Sequence, residues 1–150
     1  MLQKVILPLV CIFVFMSCSS DDDFTDELNA NRQLWQSSQL KNYSINERLS
    51  CLCGGLLEWN LYVKNGVKDN VVFDESQLLP NQTHDDVLNN AKKVEEAFNF
   101  IGDLLNQNVA SLLIEYDTEY GFPTLISIDY NADFVDDEIA YIYTNFEIIN

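Results

Sequence analysis

An alternating stretch near the middle of the chain constrains the fold most. Apolar side chains stand there at every second position: Leu57, Trp59, Leu61 and Val63. A period of two is that of a β-strand with one buried face. Asn65-Gly66 follows directly and predicts a two-residue hairpin turn, so residues 67–73 are expected to form the antiparallel partner strand.

Four other segments also have the character of strands. Before the hairpin, residues 43–53 place one set of side chains on a common face: Tyr43, Ile45, Leu49 and Cys51. Glu47 shares that parity and is the exception to it. Three more strands are expected after the hairpin, at residues 111–116, 124–130 and 139–148. The first two of these are joined by a turn in which Gly121 is free to adopt positive φ and Pro123 restricts Phe122 to extended geometry.

Two helices complete the pattern. The first is expected to start at Thr25 as its N-cap and to run to about Leu40. The second has an apolar stripe spaced by threes and fours: Val87, Ala91, Val94, Phe98, Ile101 and Leu105. Asn89 and Asn90 are poor helix formers, so the first turns of this helix could be separate.

The order helix, three strands, helix, three strands predicts an α+β domain. Strands joined by hairpins are antiparallel, so we expect one sheet of about six antiparallel strands. The long helix is expected to pack its stripe on one face of that sheet.

The N-terminal segment has the character of a targeting sequence. Lys4 precedes twelve uncharged residues, 5–16, which are too few to span a bilayer. Residues 15–18, Phe-Met-Ser-Cys, resemble the lipobox of bacterial lipoproteins. That resemblance implies a signal peptide at residues 1–17 and lipidation of Cys18, which would attach the chain to a membrane.

Residues 18–24 continue with two serines and three aspartates, and are predicted to form a lipidated, acidic tether before a single domain at 25–150. The stretch Ser-Ser-Asp-Asp-Asp-Phe resembles the signal that exports lipoproteins of Bacteroidetes-type bacteria to the outer face of the outer membrane. A flexible acidic spacer without an address is the alternative. The resemblance implies an outer-membrane, surface-exposed location.

Net charge limits the classes of partner. The formal net charge of −16 argues against binding to nucleic acid or to anionic membrane surfaces. Cations, basic proteins or simple solubility remain as interpretations of this charge. The expected partner, from the envelope location, is an unknown envelope protein or a glycan. Four tyrosines could form an aromatic cleft for a glycan or peptide if their side chains converge: Tyr62, Tyr130, Tyr141 and Tyr143.

Much of the chain resembles one family of bacterial envelope proteins. The most specific segment is residues 116–123, Tyr-Asp-x-x-Tyr-Gly-aromatic-Pro. Cys51-Leu-Cys53, the hairpin at 63–66 and the acidic run at 136–138 also match. These features are similar to domain-of-unknown-function family 6174. The family brings no activity with it, so it implies a fold and a location.

Cys51 and Cys53 are the two thiols that remain if residues 1–17 are removed and Cys18 is acylated. On an extended strand their Cα atoms would lie roughly 6.6 to 6.8 Å apart, so a disulfide would need the strand to bend towards Gly54. Their parity predicts that both face the core. A structural disulfide, two buried free thiols, and a redox or metal-binding function are the three open interpretations.

Acidic residues near the C-terminus give the candidate metal site. Asp129, Asn131 and Asp133 match the first ligand positions of a calcium loop, but Phe134 and Ala140 replace its essential Gly and Glu. The sequence therefore predicts no cofactor, with calcium as the one alternative, in another geometry that would include Asp136, Asp137 and Glu138. A solvated acidic loop is the competing interpretation of the same residues.

No nucleophile motif accompanies His84, the single histidine, so the sequence offers no catalytic residue and predicts a protein that is not an enzyme. The predicted function is a binding or structural domain displayed on the envelope as an outer-membrane lipoprotein. A calcium-binding module and a thiol/disulfide-active protein are the alternatives.

Overall fold

The computed structural model describes residues 20–54, 57–134 and 136–149, which form a six-stranded sheet and three α-helices. In chain order the elements are α1 (Ser20–Ser38), β1 (Tyr43–Ser50), β2 (Glu58–Lys64), β3 (Val67–Val72), α2 (His84–Asn90), α3 (Val94–Leu105), β4 (Ser111–Tyr116), β5 (Pro123–Asp129) and β6 (Ile139–Ile148). A short 3₁₀ turn, Glu75–Gln77, precedes α2. The predicted α+β class is confirmed.

The sheet is formed by two meanders of three strands that meet at its centre. Its strand order is β3-β2-β1-β6-β5-β4, and every neighbouring pair is antiparallel. The two central strands, β1 and β6, pair from Tyr43 with Ile148 to Ser50 with Ala140. The first and last strands of the domain therefore hold the two meanders together.

The predicted hairpin is present. Asn65 and Gly66 have φ of 53° and 76°, the positive values that a type I′ turn requires. Trp59, Leu61 and Val63 are buried, as the alternation predicts. A β-bulge between Tyr62 and Val63 leaves Asp69 of β3 unpaired in the register.

All three helices pack on the same side of the sheet. Trp35 of α1 lies edge-on to Tyr43 of β1 at a ring-centroid distance of 5.4 Å and close to Phe146 at 6.0 Å. Gly121 lies under α1, where an added Cβ would meet the backbone oxygen of Asn31 at 2.6 Å. Its φ of 77° also confirms the predicted turn, after which Pro123 begins β5.

The first helix begins earlier than the sequence predicts. It starts at Ser20 instead of Thr25, so residues 20–24 of the predicted acidic tether are helical. Acidic residues are generally favourable near a helix N-terminus, so an acidic run in a sequence is compatible with a helix start as well as with a tether. Residues 1–19, with the predicted signal peptide and Cys18, lie outside the described residues.

The second predicted helix is two helices, as its asparagines allow. Ala91 has ψ of 135°, which stops α2, and α3 begins at Val94. The predicted stripe packs on the sheet, with Leu105 half-buried and its other members buried. Among the described residues, no helix has the length and apolar character needed to cross a membrane.

Candidate functional site

The centre of the helix-covered face holds a buried carboxylate. Glu47 lies on β1 with its side chain on the same face as those of Tyr43 and Ile45, and it is fully buried. Its Oε2 accepts hydrogen bonds from Trp59 Nε1 at 2.9 Å and from the backbone N–H of Lys92 at 2.8 Å. The exception to the apolar pattern is therefore a buried carboxylate with one oxygen that accepts two hydrogen bonds.

Tyr143 completes the hydrogen bonding of this carboxylate by donating its hydroxyl to Glu47 Oε1 at 3.2 Å. Burial raises the pKa of Glu47, and the three hydrogen bonds oppose that shift. Burial, followed by the neighbouring Glu47, raises the pKa of Tyr143 well above its usual range.

Glu47 can keep its hydrogen bonds in either protonation state. The indole and backbone N–H groups donate in both states, whereas the Tyr143 hydroxyl can donate to a carboxylate or accept from a carboxylic acid. The pair can therefore keep the hydrogen bond between its two oxygens when Glu47 gains or loses a proton.

A cavity of about 290 Å³ lies beside this network. Its apolar lining comes from Leu49, Trp59 and Val87, and amide side chains are contributed by Gln82 and Asn90. Lys92 and Tyr141 complete the lining. Strands β1, β2 and β6 and the segment around α2 thus line this open cavity together, with side chains of mixed polarity that are typical of small-molecule sites.

Lys92 is the one charged residue of this lining. Its Nζ lies 4.3 Å from the ring centroid of Tyr141 and 5.1 Å from that of Phe100. The two rings meet edge-on, with centroids 5.1 Å apart. Cation–π attraction to both rings therefore fixes the ammonium at the side of the cavity.

The four tyrosines do not converge on one cleft, so the condition for an aromatic site of all four is not met. Tyr141 and Tyr143 lie on the helix-covered face, where Tyr143 is buried. Tyr62 alternates with the buried Leu61 and Val63 and therefore lies on the opposite face of the sheet. Parity within each strand could not reveal this, because it does not relate the faces of different strands.

Cys51 and Cys53 form a close pair with Cα atoms 5.2 Å apart. That separation is shorter than the extended-strand value because β1 ends at Ser50 and the chain bends there. It lies within the range that a disulfide spans. The prediction that both residues face the core is wrong, since Cys51 is half-buried and Cys53 is exposed.

The predicted calcium ligands are engaged in local backbone contacts. Asp129 Oδ1 accepts the N–H of Asn131 at 3.1 Å, and Asn131 Oδ1 accepts the N–H of Asp133 at 3.0 Å. Asp136 has a positive φ of 79°. Among the described residues, acidic, histidine and cysteine side chains form no group of three or more that could hold a metal ion. Calcium binding through these residues and Asp137 or Glu138 stays a prediction.

His84 begins α2 instead of lying in a loop. Its Nε2 is 3.0 Å from the carbonyl oxygen of Val71, and its ring lies 5.6 Å from that of Phe73. These contacts tie the start of α2 to the edge strand β3 and give the histidine a packing role.

Comparison with known proteins identifies the family and nothing more specific. Residues 27–148 match the model of a family of unknown function, DUF6174. No curated protein and no solved structure matches the chain. The match covers most of the sequence and includes the whole sheet, Glu47, and every residue that lines the cavity. The chain therefore belongs to the family of unknown function DUF6174.

Proposed function

We propose that this protein is a non-enzymatic binding domain, held at the outer membrane by a lipid on Cys18, and that the cavity beside Glu47 is its ligand site. The single observation that carries the ligand site is the cavity of about 290 Å³ with lining of mixed polarity. Its size is at the lower end for ligand pockets, which suits a molecule as small as an amino acid or a monosaccharide.

The rigid surroundings of the cavity support this proposal. Trp59 and Lys92 line it and are both hydrogen-bonded to the buried Glu47. A pre-organised site loses less conformational entropy when a ligand binds. A larger groove of about 430 Å³, formed by Phe24 and residues 104–112, has no charged side chain and lies along a surface loop, so it supports a ligand site less well.

Blocking the cavity tests the proposed site whatever the identity of the natural ligand. Full-length protein in non-ionic detergent would be screened by saturation-transfer NMR against glucose, acetamide, N-acetylglycine and N-acetylglycinamide. Asn90→Trp places a large ring on a residue that lines the cavity, and Asn89→Trp is the matched control on an exposed neighbour outside it. We expect Asn90→Trp to abolish the signal of any bound probe and Asn89→Trp to retain it. Equal signals in both variants would overturn the proposed site.

The membrane anchor needs a separate experiment. Its support is the resemblance of residues 15–18 to a lipobox and of residues 19–24 to an export signal. Intact mass spectrometry of protein purified from its native membrane should give the mass of an acylated chain that begins at Cys18. A mass that begins at Met1 would contradict the anchor and leave the cavity proposal standing.

A thiol/disulfide activity is the second candidate, because one specific observation favours it. Cys51 and Cys53 lie within disulfide range and Cys53 is exposed, so a reductant or a second protein thiol could reach it.

A further inference from the structure

Three lysines meet where α2 passes into α3, and two of them stabilise the junction. Lys68 Nζ donates to the carbonyl oxygens of Asn89 and Ala91 at 2.9 and 3.0 Å and pairs with Glu96 at 3.4 Å. Lys93 Nζ donates to the carbonyl oxygen of Gly66 at 2.6 Å and pairs with Glu95 at 3.8 Å. Both ammonium groups therefore have complete structural roles.

The third lysine differs from its neighbours. Within the described part of the chain, the Lys92 ammonium has no hydrogen bond and no carboxylate within 4 Å, and its contacts are the rings of Tyr141 and Phe100. Most of the described lysines and arginines also lack a carboxylate within 4 Å, but Lys92 is the one among them that lines this cavity. Its charge acts at longer range on the Glu47 carboxyl group, where it opposes the rise in pKa. The Lys92 ammonium lines the cavity with its three N–H donors free for a ligand.

We propose that the cavity binds a small molecule with a single carboxylate, which Lys92 Nζ recognises as its counter-ion. This inference rests on the proposed function and names the ligand class of that site. The amide side chains of Gln82 and Asn90 are available as further donors to the carboxylate. Gln82 Oε1 already accepts the Leu79 N–H at 3.2 Å, so its Nε2 is the group left for the ligand. Leu49 and Val87 would contact the apolar part of the ligand.

The backbone around the cavity favours a single charge over a phosphate. Phosphate sites at a helix start use several free backbone N–H groups. Here the N–H of Lys92 donates to Glu47, that of Lys93 to Glu96, and that of Val94 to the Tyr43 hydroxyl. A doubly charged phosphate would therefore meet one ammonium, and none of these three backbone N–H groups is free to donate to it. It would also lie near the Glu47 carboxyl group.

The aromatic rings favour an anion over a neutral sugar. Sugars stack on open ring faces, but Trp59 is only 7% exposed and its Nε1 is bonded to Glu47. The Tyr141 ring already has Lys92 Nζ above it at 4.3 Å. The rings thus position the cation, and the cation is the group left to contact the ligand.

A matched pair of probes isolates the charge of the ligand. N-acetylglycine and N-acetylglycinamide have nearly the same shape and differ in the carboxylate. Full-length protein in non-ionic detergent would be titrated with both and with inorganic phosphate by isothermal calorimetry and saturation-transfer NMR. We expect the carboxylate to bind at least tenfold more tightly than the amide and than phosphate.

Substitutions of lysine identify the counter-ion. Lys92→Met keeps the stem and removes the charge, and should weaken N-acetylglycine binding at least tenfold, whereas Lys92→Arg should retain most of it. Lys64→Met removes an exposed charge outside the cavity and should have no effect. Circular dichroism establishes that each variant is folded.

Three outcomes would overturn the inference. Equal binding of the amide and the carboxylate, tighter binding of phosphate, or unchanged carboxylate binding in Lys92→Met would each remove the carboxylate as the recognised group. If neutral probes still bind and Asn90→Trp blocks them, the proposed function survives while this inference fails. If no probe binds at the cavity, both fail.

Discussion

Glu47 Oε2 accepts the backbone N–H of Lys92 at 2.8 Å, so a carboxylate at the centre of the sheet fixes the break between α2 and α3. The same oxygen accepts Trp59 Nε1. The N–H of Lys92 has no helical partner because Ala91 leaves the helix. The buried carboxyl group of Glu47 therefore accepts the Lys92 N–H that the end of α2 leaves without a helical partner. The side chain of Lys92 lies beside the cavity.

Glu47→Ala should be strongly destabilising. It would leave two buried donors, Trp59 Nε1 and the Tyr143 hydroxyl, and the part-buried N–H of Lys92 without their acceptor. Each unsatisfied buried donor costs about 1–3 kcal/mol, so we expect a loss of about 3 kcal/mol or more. Urea unfolding followed by tryptophan fluorescence measures it. A loss of less than about 1 kcal/mol would show that water replaces the carboxylate without cost.

Glu47→Gln tests the pH dependence of this group. The amide oxygen can accept from Trp59 and Lys92 while the amide nitrogen donates to the Tyr143 hydroxyl, so the network can persist. Burial raises the pKa of Glu47 in the folded protein above its ordinary value of 4.5. The folded state therefore binds the proton more tightly, and the contribution of Glu47 to stability falls as pH rises above that value.

The stability of Glu47→Gln relative to the native chain should therefore improve between about pH 4.5 and the raised pKa. Subtracting the two unfolding curves at each pH cancels the contributions of other carboxyl groups. A difference that is constant from about pH 4 to pH 8 would contradict the raised pKa.

Lysine substitutions should separate structural from ligand-binding roles. Lys68→Met removes hydrogen bonds to two carbonyl oxygens and an ion pair, and should cost about 1.5–3 kcal/mol. Lys92→Met should change stability by less than about 1 kcal/mol, since a thioether also packs favourably on the rings of Tyr141 and Phe100. Thermal unfolding of both variants measures the difference. The reverse order of stabilities would assign Lys92 a structural role.

The sequence predicts the scaffold well because its signals are local. The alternation at 57–63, the Asn65-Gly66 turn and the apolar stripe each depend on neighbouring residues, and each appears in the structure as predicted. The start of α1 at Ser20 is missed because aspartates permit either a tether or a first helical turn.

The candidate site could not be predicted, because its contacts are distant in sequence. Trp59, Lys92 and Tyr143 reach Glu47 from positions 12, 45 and 96 residues away. The one available signal was a glutamate on the apolar parity of β1. A charged residue on an inward-facing position implies buried partners, but it does not identify which donors the fold supplies.

Three glycines allow backbone strain to be separated from steric overlap. Gly121→Ala should be the most costly, because φ is 77° and the new Cβ would lie 2.6 Å from Asn31 O. Gly66→Ala should cost about 1 kcal/mol from its positive φ alone, since nothing lies within 4 Å. Gly54→Ala has neither problem and is the control. Unfolding free energies should follow that order, and a Gly121→Ala variant as stable as the control would contradict the packing of α1 on this turn.

The Cys51–Cys53 pair should contribute little to stability if it is oxidised. The closed loop is so short that the entropic gain is only about 1.6 kcal/mol by the loop-length relation. A Cys51→Ser/Cys53→Ser double variant should therefore unfold only several degrees below the native chain, and reductant should lower the native melting temperature by a similar amount. Because Cys53 is exposed, mass spectrometry should show two alkyl groups added after mild reduction of the folded protein. Alkylation of both thiols without any reductant would show a free pair and remove the structural disulfide.

A pair oxidised in the purified protein but resistant to mild reductant would instead argue against the thiol/disulfide activity, since such an activity requires ready exchange.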